Sequence, residues 1–279
     1  MIFSNLSAQS NLEKAITLFE EQNFSQTKDI LEEILDEDEN NAKANFYLGR
    51  TYLGLKDYSE ASDYIEEAIE IEDNNAEYHF WLAQAYAADA QESSFISAAF
   101  IAPKIKDEFA RTIEIDPTHL GGYIGLANFH LNAPGIVGGD IDEVLKVGNK
   151  LIELDEKNGR FVLINYYTKK ENFDSVEIQL KILEDKFSGD KNFASFYNRY
   201  GYTLLNQEKY AEAIKYFKKQ VELNPENANS YDSLGDGYRA AGKLQEASKQ
   251  YQKALDIDPN FEASKNNLEE VTEELESSN

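Results

Sequence analysis

Apolar residues recur along this chain at steps of three and four, the spacing that places them on one face of an α-helix. The pattern is clearest over residues 229–260, where two such stretches are separated by the tetrapeptide A-A-G-K. It returns over 194–227 and over 44–74. The sequence therefore predicts pairs of short amphipathic helices joined by tight turns.

These paired stretches repeat at a fixed distance. Gly235 follows Gly201 by 34 residues, and the same shift relates Tyr251 to Phe217. Repeats then begin near residues 8, 42, 76, 120, 157, 194 and 228, and a single helix follows from 262. One helical pair cannot bury its apolar face alone, so we expect the pairs to stack into a solenoid.

The repeat resembles the tetratricopeptide repeat family, whose frame is W-x2-L-G-x2-Y, then A-x3-F, then A and P. The stretch S-Y-D-S-L-G-D-G-Y at 230–238 and Ala247, Tyr251 and Pro259 carry the likeness, with Tyr231 in place of Trp. The resemblance covers nearly the whole chain and is of the bacterial type. It implies an all-α, right-handed superhelical solenoid of about seven helix-turn-helix repeats plus a C-terminal capping helix.

The repeat frame also gives an expected organisation. We expect residues 1–7 to be disordered or the remnant of a signal peptide, 8–193 to form an N-terminal sub-array, 194–261 a C-terminal repeat pair, and 262–279 a capping helix and tail. The fifth repeat departs most from the frame, because Ile164 and Val176 replace its small residues. A softer joint between the two sub-arrays is therefore predicted at F-S-G-D-K-N, residues 187–192.

Charge narrows the range of partners. The chain has 52 acidic and 27 basic side chains, for a net charge of −25. Such a surface repels phosphate backbones and anionic headgroups, so nucleic acid and membrane surfaces are poor partners. It suits simple solubility or a basic partner. No apolar run reaches the ~18 residues of a membrane span, so membrane insertion is not expected.

The N-terminus bears on localisation. The stretch F-S-N-L-S-A-Q at 3–9 looks like the end of a signal peptide, although a basic segment before it is missing. We expect export to the periplasm rather than a cytoplasmic location. The chain has no Cys, which excludes disulfides and thiolate metal sites.

Two nucleotide-binding signatures overlap in L-G-D-G-Y-R-A-A-G-K, residues 234–243. A dinucleotide fingerprint needs a strand before its glycines, but here Gly235 and Gly237 lie inside a predicted helix. A P-loop needs Ser or Thr after Lys243, where this chain has Leu244. We interpret the glycines as packing and capping residues and expect no nucleotide cofactor.

The sequence does not support metal binding or catalysis. His79, His119 and His130 lack metal-ligand spacing, and the calcium-loop-like D-E-D-E-N-N at 36–41 lacks its Gly and its closing Glu. No G-x-S-x-G nucleophile motif is present. The sequence thus predicts no catalytic residues, no metal site and no cofactor.

Two repeats are longer than the frame allows. The third is lengthened by ten residues through 88–106, and the fourth through 132–140. Both insertions fall between the two helices of their repeat, so they are expected to be neighbouring loops that touch. They form either local packing or a second site, which comprises Phe95, Phe100, Pro103, Pro134, Gly138, Gly139 and Asp140.

The first helix of each repeat lines the concave groove in this family, which gives the main candidate site. Its residues are Lys43, Phe46, Arg50, Phe80, Trp81, Gln84, Ile124 and Asn128. Phe80 and Ile124 stand where chaperone-binding members carry a polar clamp, so chaperone tails are not expected. The predicted function is a non-enzymatic scaffold that binds a protein or peptide in this groove.

The rival hypothesis is an accessory protein of the bacterial envelope that binds a small molecule beside the two insertions. The P-G-I-V-G-G-D stretch at 134–140 supports it, because it is similar to exported repeat proteins such as the T component of some tripartite periplasmic transporters.

Overall fold

The computed structural model describes residues 2–187 and 189–277, with side chains described from Ser10 onward. Within these residues the chain is all α-helical apart from its turns and one short 3-10 helix at Gly135–Val137. The helices are α1 (Ile2–Glu20), α2 (Phe24–Glu37), α3 (Ala42–Leu55), α4 (Tyr58–Ile71), α5 (Ala76–Glu92), α6 (Phe95–Ile115), α7 (Leu120–Asn132), α8 (Ile141–Leu154), α9 (Glu156–Lys169), α10 (Phe173–Lys186), α11 (Phe193–Leu205), α12 (Tyr210–Leu223), α13 (Ala228–Ala240), α14 (Leu244–Ile257) and α15 (Glu262–Ser277).

The chain forms two compact units, residues 1–183 and 184–279. The boundary lies inside α10, a few residues before the predicted joint at 187–192, of which Ser188 falls outside the described residues. At the N-terminus the backbone is helical from Ile2 onward. Met1 lies outside the described residues.

In unit 1 each helix from α1 to α8 packs against the next one along the chain. The first helices of successive pairs, α3, α5, α7 and α9, begin at or within one residue of the positions where the 34-residue frame places repeat starts. Polar caps fix several of these beginnings: Asn41 Oδ1, for example, accepts a hydrogen bond from the backbone N–H of Ala44 at 3.0 Å. The sequence pattern thus becomes a stack of antiparallel helix pairs.

A large side chain of one helix rests on a glycine of its partner helix in several pairs. A Cβ on Gly235 would lie 2.4 Å from the ring of Tyr251, and one on Gly201 would lie 2.5 Å from the ring of Phe217. Gly242 has φ of 71° and ends the turn before α14. The glycines of the nucleotide-like signature are therefore packing and capping residues, as the repeat frame predicts.

The insertion of the third repeat is helical, which corrects the prediction of a loop at 88–106. α5 has 17 residues and α6 has 21, whereas α3 and α4 have 14 each. The reason is local: A-A-D-A-Q extends α5, and F-I-S-A-A-F-I-A continues α6 from its N-cap at Ser94. At 1.5 Å per residue, seven extra residues lengthen α6 by about 10 Å. The start of α6 is therefore a projecting segment that the 14-residue second helices α4 and α8 lack.

The insertion of the fourth repeat is a loop, as predicted. It joins α7 to α8 through the 3-10 helix, which packs against α6. Gly138 has φ of 97°, and a Cβ on Gly139 would lie 1.9 Å from the carbonyl oxygen of Ala133. The two insertions touch each other, as the sequence predicts.

Unit 2 contains the last turn of α10 and α11 to α15. On its inner surface Asp236 accepts hydrogen bonds from the hydroxyls of Tyr202 at 2.6 Å and Tyr251 at 2.8 Å. Asp232 is buried and accepts from Ser264 at 2.6 Å, and burial raises the pKa of its carboxyl group. These carboxylates therefore bind side chains of neighbouring helices.

Among the residues described, no helix is both long enough and apolar enough to cross a membrane.

A buried histidine ties α5 to α6. His79 is only 4% exposed, and its Nδ1 lies 2.6 Å from the carboxylate of Glu108 while its Nε2 lies 2.9 Å from the carbonyl oxygen of Asp73. Both ring nitrogens thus face acceptors, an arrangement that favours the doubly protonated ring. Burial lowers the pKa of His79, but the bonds to Glu108 and Asp73 outweigh it, so the net pKa is raised.

This raised pKa predicts a loss of stability at high pH. The contribution of His79 is fully present below the unfolded pKa of about 6.5 and is lost as the pH rises through the folded pKa. We expect the stability gap between the protein and its His79→Gln variant, measured by urea unfolding, to shrink from pH 6 towards pH 9.

His130 provides the control, because burial lowers its pKa and the sign reverses. For His130→Gln the gap should widen in favour of the parent protein as the pH rises from the lowered folded pKa to the unfolded pKa of about 6.5, and stay constant above it. A His79→Gln gap that stays constant between pH 6 and pH 9 would contradict the assignment.

Candidate functional site

A cavity of about 950 Å³ opens in unit 1 between α5, α6, α7 and the loop that follows α7. Its lining residues are Phe80, Gln84, Ala87, Ala90, Gln91, Phe95, Ala98, Ala99, Ala102, Ile105, Phe109, Gly121, Ile124, Gly125, Asn128, Phe129, Asn132, Ala133, Pro134, Ile136 and Val137.

The cavity unites the two sites that the sequence presents as separate. The predicted groove contributes Phe80, Gln84, Ile124 and Asn128, and the predicted insertion site contributes Phe95 and Pro134. The first helices α5 and α7 carry the groove residues, whereas α6 and the following loop bring in the insertion. One continuous surface therefore holds half of the proposed groove and part of the second site.

Helix spacing and small side chains explain why space remains here. α5 and α7 have the least backbone contact of any successive first helices in unit 1, considering the described residues. Alanines of the elongated α5 and α6, such as Ala87, Ala98 and Ala102, face the gap and leave it unfilled. At its base the ring of Phe109 packs on Gly125, where a Cβ would lie 2.3 Å from the ring. The base is thus closely packed, and the empty space lies above it.

The cavity is uncharged. None of the described residues that line it is Asp, Glu, Lys or Arg, and its polar groups are the amides of Gln84, Gln91, Asn128 and Asn132. Residues 93–103 and 117–139 contain no charged side chain, in a chain whose residues are 28% charged. Both stretches contribute walls to the cavity.

The mouth of the cavity exposes large apolar side chains to water. Phe95 is 80% exposed and Ile136 is 92% exposed, and both line the opening. Phe100 and Ile96, on the projecting start of α6, are 79% and 71% exposed but lie outside the cavity. Clustered exposed apolar residues of this kind mark interaction sites more often than scattered ones do.

Phe46 corrects the predicted groove. It is only 6% exposed and packs against Tyr78, with ring centroids 4.6 Å apart, and against Ala68. This side chain therefore belongs to the core and leaves little surface for a partner. Lys43, three residues earlier, is exposed at the start of α3 but lies away from the cavity.

Arg50 lies among four aromatic rings and belongs to the packing of the first helices. Its guanidinium is 4.1 Å from the ring centroid of Trp81 and 4.7 Å from that of Phe19, which are within cation–π range, and the rings of Phe46 and Tyr47 lie slightly further away. Burial lowers the pKa of Arg50, although electrostatic interactions with the neighbouring Tyr47 and Glu77 oppose this. Arg50 thus connects α1, α3 and α5, and neither it nor Trp81 lines the cavity.

Three residues of the predicted insertion site have structural roles. Gly138 and Gly139 shape the turn, and Asp140 caps α8 by accepting from the backbone N–H of Asp142 at 2.9 Å. Pro103 is exposed within α6. The sequence motif P-G-I-V-G-G-D therefore encodes mainly a turn and a helix start.

Sequence reasoning missed most of the cavity wall. Ala87, Ala98, Phe109, Phe129 and Ile136 give no chemical signature one by one, although the charge-free stretches that contain most of the wall were visible. Among the residues described, no group of three or more His, Cys, Asp or Glu side chains is placed to hold a metal ion.

Comparison with known proteins identifies the repeat independently. A family model described as "Tetratricopeptide repeat" matches residues 18–91, and another with the same description matches 192–260. The chain is 32% identical over 120 residues to the uncharacterized protein ycf37 of Cyanophora paradoxa, covering 43% of this chain and 67% of that protein. It is 31% identical over 81 residues to the Hsp70-Hsp90 organizing protein of Triticum aestivum, covering 29% of this chain.

The chain spans 12 to 14% of the length of the first curated relatives that it matches. Among solved structures, a tetratricopeptide repeat protein from Parabacteroides merdae superposes with a TM-score of 0.68 at 16% identity, covering 96% of this chain and 99% of that one. At this identity the likeness concerns the fold alone.

The placement of Phe46 in the core and Phe100 at the surface can be tested by comparing the stability of two variants. Phe46→Ala should lower the free energy of unfolding by about 3–5 kcal/mol, because it leaves a hole in the core. Phe100→Ala should change it by less than about 0.5 kcal/mol, because the ring is exposed. Chemical denaturation of both variants measures the difference, and equal losses would contradict the placement of Phe46.

Proposed function

The chain belongs to the tetratricopeptide repeat family, and from that premise we propose that it is a non-enzymatic scaffold that holds a protein or peptide partner in the cavity of unit 1. The observation that carries this proposal is the uncharged cavity with exposed apolar side chains at its mouth. The name of the relative from Triticum aestivum, an organizing protein for two other proteins, supports a scaffold role.

The free energy of burying the exposed apolar side chains at the mouth favours a bound state in which a partner covers the cavity. Full burial of a large apolar side chain is worth about 1.5–3 kcal/mol, and Phe95 and Ile136 stand in water at the mouth. Part of this gain is consumed by the cost of association. A partner that fills the cavity gains from both the mouth and the lining.

The composition of the walls supports an apolar partner surface. Phe80 and Ile124 occupy the positions where a carboxylate-binding clamp would need polar groups, and both line the cavity. A charged chain terminus would lose its hydration here without gaining a counter-charge. The partner therefore presents apolar side chains to this cavity.

Site-specific photo-crosslinking tests the location. A photoreactive residue at Asn128, which is exposed and lines the cavity, should crosslink a partner protein in extract of the source cells. The same residue at Asn149, exposed on α8 and outside the cavity, is the matched control and should give no such product.

The crosslink at Asn128 should fall at least about tenfold in a Phe95→Ser/Ile136→Ser variant, because both side chains line the mouth. Both are exposed, so helicity and unfolding should be unchanged. Equal products at Asn128 and Asn149, or a crosslink that survives the double substitution, would refute the location.

A further inference from the structure

The projecting start of α6 has an apolar face that the cavity does not use. Ile96 and Phe100 lie one helical turn apart on this segment, and Phe95 beside them reaches the cavity mouth. We name Ile96 and Phe100 the α6 stripe. Because Ile96 and Phe100 do not line the cavity, an occupant confined to the cavity leaves both side chains in water. An occupant that fits this surface must fill the cavity and also extend over the stripe.

The polar groups of the walls restrict the backbone of the occupant. An extended peptide needs partners for its N–H and C=O groups along its whole length. The lining offers four side-chain amides, and one of them, Asn132, already donates to the carbonyl oxygen of Asn128 at 2.9 Å. A helix satisfies its own backbone internally and needs to present only apolar side chains. The walls therefore suit a helix better than a strand.

The negative charge of this chain determines which residues the outward face of the bound helix should carry. The chain has a net charge of −25, so a second copy would bring two strongly negative surfaces together. An anionic membrane surface is repelled for the same reason. A segment with Lys and Arg on the side that faces away from the cavity is attracted instead, while its apolar side meets the charge-free walls.

We propose that the cavity and the α6 stripe together receive an amphipathic helix of a partner protein, with apolar side chains spaced three and four apart and a basic outer face. This inference rests on the proposed function and adds the chemistry of the partner segment. The cavity takes the apolar side chains of one helical face, and the stripe covers the next turn.

A pair of peptides tests the proposal. The probe is a leucine–lysine peptide of about 14 residues, four helical turns, with leucines three and four apart. Its control is the diastereomer with D-residues at alternate positions, which keeps the composition and charge but cannot form the helix. Binding of the labelled peptides to the full chain is followed by fluorescence anisotropy at about 0.15 M and about 1 M salt, where screening lengths are about 8 Å and 3 Å.

We expect the helical peptide to bind at least about tenfold more tightly than the diastereomer, and this ratio to persist at high salt. The double substitution Ile96→Ser/Phe100→Ser should weaken the binding of the helical peptide at least about tenfold. Ile178→Ser, a change of another exposed apolar side chain on α10, should leave binding unchanged.

Equal binding of the two peptides, or binding that is insensitive to Ile96→Ser/Phe100→Ser, overturns the helix proposal. So does stripe-dependent binding to neutral phosphatidylcholine vesicles, or stripe-dependent self-association in sedimentation. The Asn128 crosslink, with its dependence on Phe95 and Ile136, reports separately on the proposed function. The helix proposal can thus fail while the cavity remains the place where a partner is held.

Discussion

The structure depends on one repeated contact, in which a large side chain occupies the space where the Cβ of a facing glycine would be. Ile65 meets Gly49, Phe217 meets Gly201 and Tyr251 meets Gly235 in this way. Because each contact brings two helices close together, each pair becomes a thin, rigid layer whose outer faces must be buried by the next layer. Where Ile164 replaces the glycine, the side chain is itself fully buried, and the boundary between the two units lies in the following helix.

The cavity follows from a local change in this regular arrangement. Elongation of α5 and α6 carries helix ends past their neighbours, and the alanines on them do not fill the gap beside α7. A scaffold needs both solubility and an apolar contact surface. In this chain of net charge −25, different parts of the surface meet these two needs, because the concave surface of the cavity is uncharged. The acidic exterior keeps the protein soluble, and the cavity supplies apolar contact at one place.

Much of the fold could be predicted from the spacing of residues. The 34-residue period determines both where the helices start and which positions need a small residue such as glycine. The site was less predictable, for physical reasons. Phe46 and Phe80 look equivalent in the repeat frame, yet the first is buried against Tyr78 and Ala68 whereas the second lines the cavity. The insertion at 88–106 has no Gly and is rich in Ala, a strong helix former, but a repeat frame treats any excess length as a loop. The space itself is bounded by alanines and glycines, which have no recognisable chemistry.

The length of α6 also limits how this surface can change in evolution. The helix exceeds α4 by seven residues, which at 3.6 residues per turn is almost two full turns. Insertion or deletion of a single residue between Phe100 and Ala102 would rotate Phe95, Ile96 and Phe100 by about 100° relative to the rest of α6. Related chains that keep the surface should therefore differ here by near-whole turns, so alignment gaps of three, four or seven residues are permitted and gaps of one or two are selected against.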